Sequence, residues 1–249
     1  GASWTGVEFV RGSLGKGDDS VTAFAQLKNI YGGEGTDRLT LDYSGTLPDG
    51  RSAERIDFYL TGSRIDETVA FGDGYADVEL RINEFESFDI TATAGNDRIV
   101  GGDAGNRLVG GAGNDDLRGG DGADVLDGGP GDDLFRTVGF GDTVVGAAGS
   151  DTVSFNFTEQ TEDLTIDLGT GEAPGASWTG VEFVRGSLGK GDDSVTAFAQ
   201  LESIYGGEGT DSLTLDYSGT LPDGRSAERI DFGSLDKATV AFGDGHDNV

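Results

Sequence analysis

The apolar positions in the middle of this chain recur in nines. From Ala92 onward a large apolar residue returns at every ninth position: Ile99, Leu108, Leu117, Leu126, Phe135, Val144 and Val153. Self-similarity at a fixed step marks a repeat architecture. Elsewhere the pattern changes to alternation. The segments "DRLTLDYS" (37–44), "TVSFNF" (152–157) and "DLTIDL" (163–168) place apolar and polar residues in turn, which predicts strands. The stretch "GTLPDGRSAER" (45–55) breaks that alternation and reads as an excursion loop turning on "PDG".

The polar positions of the central block repeat with the same step. Seven nonapeptides follow one another: "ATAGNDRIV", "GGDAGNRLV", "GGAGNDDLR", "GGDGADVLD", "GGPGDDLFR", "TVGFGDTVV" and "GAAGSDTVS". In the most regular of them glycine holds positions one, two and four. Position six carries Asp97, Asn106, Asp115, Asp124, Asp133, Asp142 and Asp151. The second nonapeptide is the weakest, with Ala104 and Asn106 at two signature positions. A glycine-rich acidic linker would not hold this register through seven units.

A longer repeat encloses the short one. The segment that begins at Gly1 with "GASWTGVEFVRGSLGKGDDSV" recurs at Gly175, a step of 174 residues. Up to Phe58 and Phe232 the copies differ only at Lys28/Glu202, Asn29/Ser203 and Arg38/Ser212. The 249 residues therefore hold about one and a half units of a tandem array, and the chain reads as a piece of something longer. Three segments are expected within one continuous solenoid: 1–91 with degenerate coils, 92–154 as the regular block, and 155–249 with connecting strands and the second copy at 175–249.

Charge changes the picture. The formal net charge is −29, and hydrophobic residues make up only 35% of the chain. Such a composition tends toward disorder unless a cationic partner, multivalent cations or a salty medium neutralises it. Nucleic acid is disfavoured, since its phosphates would be repelled. There is no cysteine, so disulfides and thiol chemistry are excluded. No apolar run approaches the roughly 20 residues of a membrane span, and no signal peptide is visible.

The nonapeptide pattern strongly resembles the calcium-binding repeat of RTX (hemolysin-type) proteins, G-G-x-G-x-D-x-U-x. The phrases "SWTGVEFVRGSLGKGDDSV" and "INEFESFDITATAGNDRIV" are similar to those of long bacterial RTX surface proteins, in which degenerate coils separate calcium-rich ones. The resemblance implies an all-β fold, a right-handed parallel β-roll or β-solenoid. Each nonapeptide would make one turn and one short strand, and two would make a coil of eighteen residues. About fourteen coils would then stack to roughly 65 Å at the sheet spacing. The glycines permit unusual dihedrals and close carbonyl approach, while the aspartate supplies a hard oxygen suited to Ca²⁺. Position eight would point inward.

With loops on one side recurring every second nonapeptide, Asp97, Asp115, Asp133 and Asp151 form one ladder, and Asn106, Asp124 and Asp142 the other. The family implies one Ca²⁺ between successive loops, held by the position-six carboxylates of both and by glycine carbonyls, with several ions in all. Asn106 is the weaker ligand, because an amide oxygen carries no charge. Outside the block, "LGKGDDSVT" and "GGEGTDRLT" place Asp19 and Asp37 at position six, and the second copy repeats them as Asp193 and Asp211. The nine residues between, "AFAQLKNIY", keep coil length without a binding loop. "FGDGHDNV" puts Asp247 in register, where the first copy has Ala76.

Catalytic readings find little support. The adjacent pairs Asp18–Asp19, Asp115–Asp116 and Asp132–Asp133 point apart on a strand or turn, whereas glycosidase carboxylates face each other across a cleft. The single His246 lacks the partners of a nucleophile–base set, and "GSLGKGDDS" lacks P-loop spacing. Asn156 heads a weak glycosylation sequon, and Trp4, Trp178, Tyr43 and Tyr217 fit core packing or coil capping better than a sugar-binding surface. The expected function is therefore structural, not enzymatic. It is a calcium-dependent segment of an adhesin stalk, surface layer or filament, secreted by a type I route to the bacterial cell surface. Neighbouring repeats or copies of itself, and cell-surface polysaccharide, are the expected partners. The alternative is the secretion and folding module of a larger RTX enzyme or toxin. A cation-storing scaffold is a third reading.

Overall fold

A computed structural model describes residues 10–23, 27–46, 52–61, 64–70, 78–168, 171–173, 175–198, 201–216 and 237–241. Among them there are strands and no helix, arranged as one sheet of eleven strands and one of twelve. In the central block successive nonapeptides alternate between the sheets. Arg98–Val100, Asp116–Arg118, Leu134–Val138 and Thr152–Asn156 lie side by side in one. Arg107–Val109, Val125–Pro130 and Thr143–Ala148 lie side by side in the other.

The strands of this block pair in parallel with partners eighteen residues apart, save that Val138 slips by one to lie beside Phe155. Leu117 lies beside Ile99 and Phe135, and Phe135 beside Val153. On the facing sheet Leu126 lies between Leu108 and Val144. All seven position-eight residues have no solvent exposure. They form the core shared by both sheets, each burial contributing about 1.5–3 kcal/mol. The core continues through Phe58 and Phe88, whose rings meet edge-on at 5.3 Å, and through Phe155, stacked 4.9 Å from Phe157 and 6.3 Å from Trp178. Trp178 and Tyr43 are buried, which agrees with core packing; Trp4 and Tyr217 lie outside the described residues.

The solenoid is not parallel throughout. Arg55–Thr61, Arg64–Ala70 and Val78–Asn83 form an antiparallel meander, joined in parallel to Arg98–Val100 at one side and to Leu27–Glu34 at the other. A second, smaller meander of Thr165–Asp167, Glu172–Ala173 and Ala176–Thr179 is set into the opposite sheet. Against the expected fourteen or so coils, the described residues form sheets of eleven and twelve strands, each of which includes the three strands of a meander. These meanders fall where alternation persists but the glycine loop is missing. Without that loop the chain is not turned into the next coil, and it doubles back beside itself. The excursion at 45–55 is pinched by an antiparallel bridge between Thr46 and Ser52; its "PDG" turn lies outside the described residues.

The two long-repeat copies fold alike over their first two strand pairs, and differ where Arg64–Ala70 lies in an antiparallel meander and its counterpart Lys237–Ala241 pairs in parallel with Ser212–Asp216. Ser20–Ala23 pairs in parallel with Arg38–Asp42, and their counterparts Ser194–Phe198 and Ser212–Asp216 do the same.

Glycine at position two is a stacking requirement. Gly111, Gly120 and Gly129 have φ of 110°, 108° and 96°, and a Cβ on Gly129 would overlap the carbonyl oxygen of Gly111 in the adjacent coil. Ala147 occupies the same position with φ 79°, in a region that costs an L-residue about 1–2 kcal/mol. Gly129→Ala is expected to destabilise the fold by at least about 2 kcal/mol, and Ala147→Gly to stabilise it by about 1 kcal/mol. Urea unfolding at saturating calcium measures both.

Candidate cation site

The central loops span six residues at 101–106, 110–115 and 119–124 and three or four where the flanking strands run longer, and the position-six side chain closes each of them. That side chain reaches back to the preceding coil on its side. Asp97 N–H donates to Asp115 Oδ1 at 2.7 Å, Asp115 N–H to Asp133 Oδ1 at 2.8 Å, and Asp133 N–H to Asp151 Oδ1 at 2.8 Å. On the other side Asn106 N–H donates to Asp124 Oδ1 at 2.8 Å and Asp124 N–H to Asp142 Oδ1 at 3.0 Å. The outlying pairs repeat the bond: Asp19 N–H to Asp37 Oδ1 at 2.8 Å and Asp193 N–H to Asp211 Oδ1 at 3.0 Å. The structure thus brings the sequence-derived residues together in the expected ladders. All are buried except Asp19, which is half-buried. Asp247 lies outside the described residues.

The second carboxylate oxygen has no such partner. Oδ2 of Asp37, Asp115, Asp124, Asp133, Asp151 and Asp193 is buried without a hydrogen bond. A buried ionised oxygen in that state is costly. The position-one glycine sits against it: a Cβ on Gly110 would overlap Asp115 Oδ2 and lie 2.9 Å from the Gly128 carbonyl oxygen. Two oxygens from successive coils therefore converge on the space above a glycine Cα.

Asn106 shows what surrounds that space. Its Oδ1 takes the usual role, accepting from Phe88 N–H at 2.9 Å. Its Nδ2 stands where other loops place Oδ2. It donates to Ala104 O at 2.6 Å, Asp124 Oδ1 at 2.9 Å, Gly119 O at 3.0 Å and Gly102 O at 3.3 Å. The cage is thus four oxygens: two carbonyls of its own loop, one carbonyl of the next coil and that coil's carboxylate. An amide nitrogen satisfies it. In the aspartate loops an oxygen faces the equivalent cage, and oxygens facing oxygens repel unless a proton or a cation stands between them. A hard, all-oxygen set of mixed carboxylates and carbonyls suits Ca²⁺. Asn106, expected as the weaker ligand, has its carbonyl oxygen turned to the backbone and its amide nitrogen to the cage. Among the described residues no three acidic or histidine side chains form a compact metal cluster; carbonyls carry that share of the donor set.

The electrostatics point the same way. Burial, with repulsion from Asp97 and Asp133 added, pushes the Asp115 carboxyl up to about 7. Burial likewise raises Asp133 and Asp142 to about 6, and it raises Asp97, Asp124, Asp151 and Asp193. With no cation present, the fold favours protons on these groups.

Other polar groups emerge only in the structure. Asp97 Oδ2 accepts from Thr93 N–H and Thr93 Oγ1, both at 2.8 Å, and Asp142 Oδ2 accepts from Gly139 N–H at 2.7 Å. These two end residues are satisfied by their own loops. Position five forms a counter-running ladder on the exposed rim. Asn114 N–H donates to Asn96 Oδ1, Asp132 N–H to Asn114 Oδ1 and Ser150 N–H to Asp132 Oδ1, at 2.9–3.0 Å. The recurring Asn or Asp before position six was its sequence signal. Glu86 and Glu182 accept from Asp37 N–H and Asp151 N–H at 2.7 and 2.9 Å; no nonapeptide flagged them.

Residues 89–104, 100–135 and 187–213 match the family model of the RTX calcium-binding nonapeptide repeat, in four copies. No curated protein matches the chain. The chain thus carries RTX repeats, a calcium-binding module typical of secreted bacterial proteins. The match is to a repeat family and not to a catalytic one.

Asp124 and Asp116 separate the site from its surroundings. Asp116, at position seven, pairs with Arg136 Nε at 2.6 Å on the partly exposed face. Asp124→Ala is expected to weaken calcium binding about tenfold or more, and Asp116→Ala to remove only a surface ion pair worth about 0–1 kcal/mol. Calorimetric titration of both variants checks this. A pH test follows from the raised carboxyls. A group whose folded pKa exceeds its unfolded value stabilises the fold while protonated, below the unfolded carboxylate range. That stabilisation is lost as pH rises through the folded value, here about 6 to 7 for Asp133, Asp142 and Asp115. In calcium-free buffer the β signal in circular dichroism should therefore grow between about pH 7.5 and about pH 5, while with calcium present proton competition should weaken apparent affinity over the same window.

Proposed function

We propose that this chain is a calcium-set structural segment of a secreted bacterial surface protein, a stalk, surface-layer or filament element that folds on meeting calcium outside the cell. The observation that carries this reading is the buried, unpartnered Oδ2 repeated coil after coil inside a unit that is itself copied at a step of 174 residues. Ions are assigned between Asp115 and Asp133, Asp133 and Asp151, Asp124 and Asp142, Asp19 and Asp37, and Asp193 and Asp211. Asp97 closes its ladder above Asp115, and Asp247 takes the equivalent register in the second copy.

Folding and binding are one reaction in this account. In a calcium-poor cytosol the carboxylate ladders repel and the chain stays extended, which suits passage through a secretion channel. Millimolar calcium outside matches the weak affinities of extracellular modules. The solenoid winds right-handed, the hand that parallel strands joined by crossovers adopt. It runs through segments 1–91, 92–154 and 155–249 as one body, and adjacent repeats stack end to end. We assign it no catalysis.

Chelation is expected to abolish the β signal in circular dichroism, and millimolar calcium to restore it. Chains of one, two and three joined 174-residue units, imaged by electron microscopy in calcium, should lengthen by a constant increment per unit. Equal spectra with and without calcium, or units that collapse into globules, would overturn the proposal.

A further inference from the structure

At two levels a loop-bearing coil is followed by a coil with no nonapeptide loop. The strand Arg38–Asp42, preceded by Asp37, pairs with Ser87–Thr91, preceded by Glu86. The strand Thr152–Asn156, preceded by Asp151, pairs with Phe183–Ser187, preceded by Glu182. Each glutamate thus holds the register of a position-six aspartate. The connections that carry them, residues 84–86 and 180–182, are as short as the connections that carry Asp37 and Asp151 themselves, residues 35–37 and 149–151.

Both junctions are built the same way. Glu86 Oε2 accepts from Asp37 N–H at 2.7 Å and Glu182 Oε2 from Asp151 N–H at 2.9 Å, as an aspartate Oδ1 does elsewhere. Two residues earlier Glu84 and Gly180 have φ of 58° and 63°. That turn sets the Glu84 carbonyl over Gly32, where a Cβ would overlap both this oxygen and Asp37 Oδ2. It sets the Gly180 carbonyl over Gly146, where a Cβ would overlap that oxygen and lie 2.6 Å from Asp151 Oδ2. A non-glycine residue keeps such a φ only when its surroundings enforce it. Asp37 and Asp151 have no solvent exposure, and their Oδ2 atoms have no hydrogen bond.

Asp142 provides the contrast. Its register partner in the next coil is Ala176, since Thr143 pairs with Ser177, and there Oδ2 accepts from Gly139 N–H instead. At Asp142 the next coil offers no carboxylate and the oxygen is met by its own loop; at Asp37 and Asp151 the next coil offers a glutamate and the oxygen is left open.

We propose that Glu86 and Glu182 are cation ligands. Each completes a calcium site with an aspartate Oδ2 and a backbone carbonyl: Asp37 Oδ2 and Glu84 O at one junction, Asp151 Oδ2 and Gly180 O at the other. These sites close the ladders where the nonapeptide pattern stops, and they clamp loop-free coils to the calcium-bearing block. The inference rests on the calcium reading given above.

The test counts calcium ions on the full chain by native mass spectrometry after refolding in saturating calcium. Glu86→Gln and Glu182→Gln keep an oxygen for the Asp37 and Asp151 amides but remove the charge. Each should bind one ion fewer than the unsubstituted chain, and the double variant two fewer. Glu34→Gln, at an exposed partner of Lys16, should keep the full count. Gln variants with the full count would overturn the proposal, whereas an unsubstituted chain that binds no calcium would sink the calcium reading itself. Should a Gln variant fail to refold, Glu182→Asp takes its place. A lost ion, or a calcium midpoint raised about tenfold, supports the assignment, and an unchanged count and midpoint overturns it.

Discussion

A carboxylate oxygen buried against other oxygens is the constraint on which the rest of this structure depends. Each interior aspartate of the ladders uses Oδ1 to take the backbone N–H of the coil before it. Its Oδ2 is thereby fixed in a cage of carbonyls and a second carboxylate. The hydrogen bond that sets coil spacing therefore also creates the charge problem. A proton answers it weakly, as the raised Asp115, Asp133 and Asp142 carboxyls show. An amide nitrogen answers it once, at Asn106. A divalent cation is the answer proposed for the levels where both coils bring oxygen.

The glycines and the small core follow from the same arrangement. Carbonyls that line the cage must approach the next coil closely, which leaves no room for a Cβ at Gly110 or Gly129. Loops that short leave only three-residue strands such as Arg98–Val100 and Arg107–Val109, with one large inward side chain each. Ordering nine backbones costs about 1–2 kcal/mol apiece, well beyond what that side chain returns, so the fold leans on its ions. The meanders behave differently. They carry aromatic core residues such as Phe58 and Trp178, so they add apolar contacts between the nonapeptide blocks, and position-six carboxylates tie them in, through Ile56 N–H on Asp97 and Leu164 N–H on Asp193.

Much of this was legible in the sequence. A period of nine places one residue per level on each side, so Ile99 to Val153 could be read as core and Asp97 to Asp151 as a ladder. The meanders were not legible, because alternation in "RIDFYLT" or "VELRIN" predicts a strand without saying whether its neighbour runs parallel or antiparallel. Nor were Glu86 and Glu182, whose role depends on which coil they lie beside, and that is decided by the path through residues 43–86 and 157–182. The ends of the ladders were hidden for a related reason. Whether Asp97 or Asp142 is satisfied depends on Thr93 and Gly139 in the same loop, positions where a short motif tolerates several residues. Asn106 reads as a weak ligand until its amide is seen turned toward the oxygens.

The central claim is that the ladder forms only around its ions. Hydrogen exchange of the ladder amides tests it most directly, since the N–H groups of Asp97, Asp115 and Asp133 report the coil-to-coil bonds themselves. The account predicts that these amides exchange freely in calcium-free buffer near neutral pH and become protected together, with the core strands, as calcium is added. Protection of the same amides without calcium, at a level that added calcium does not change, would contradict it.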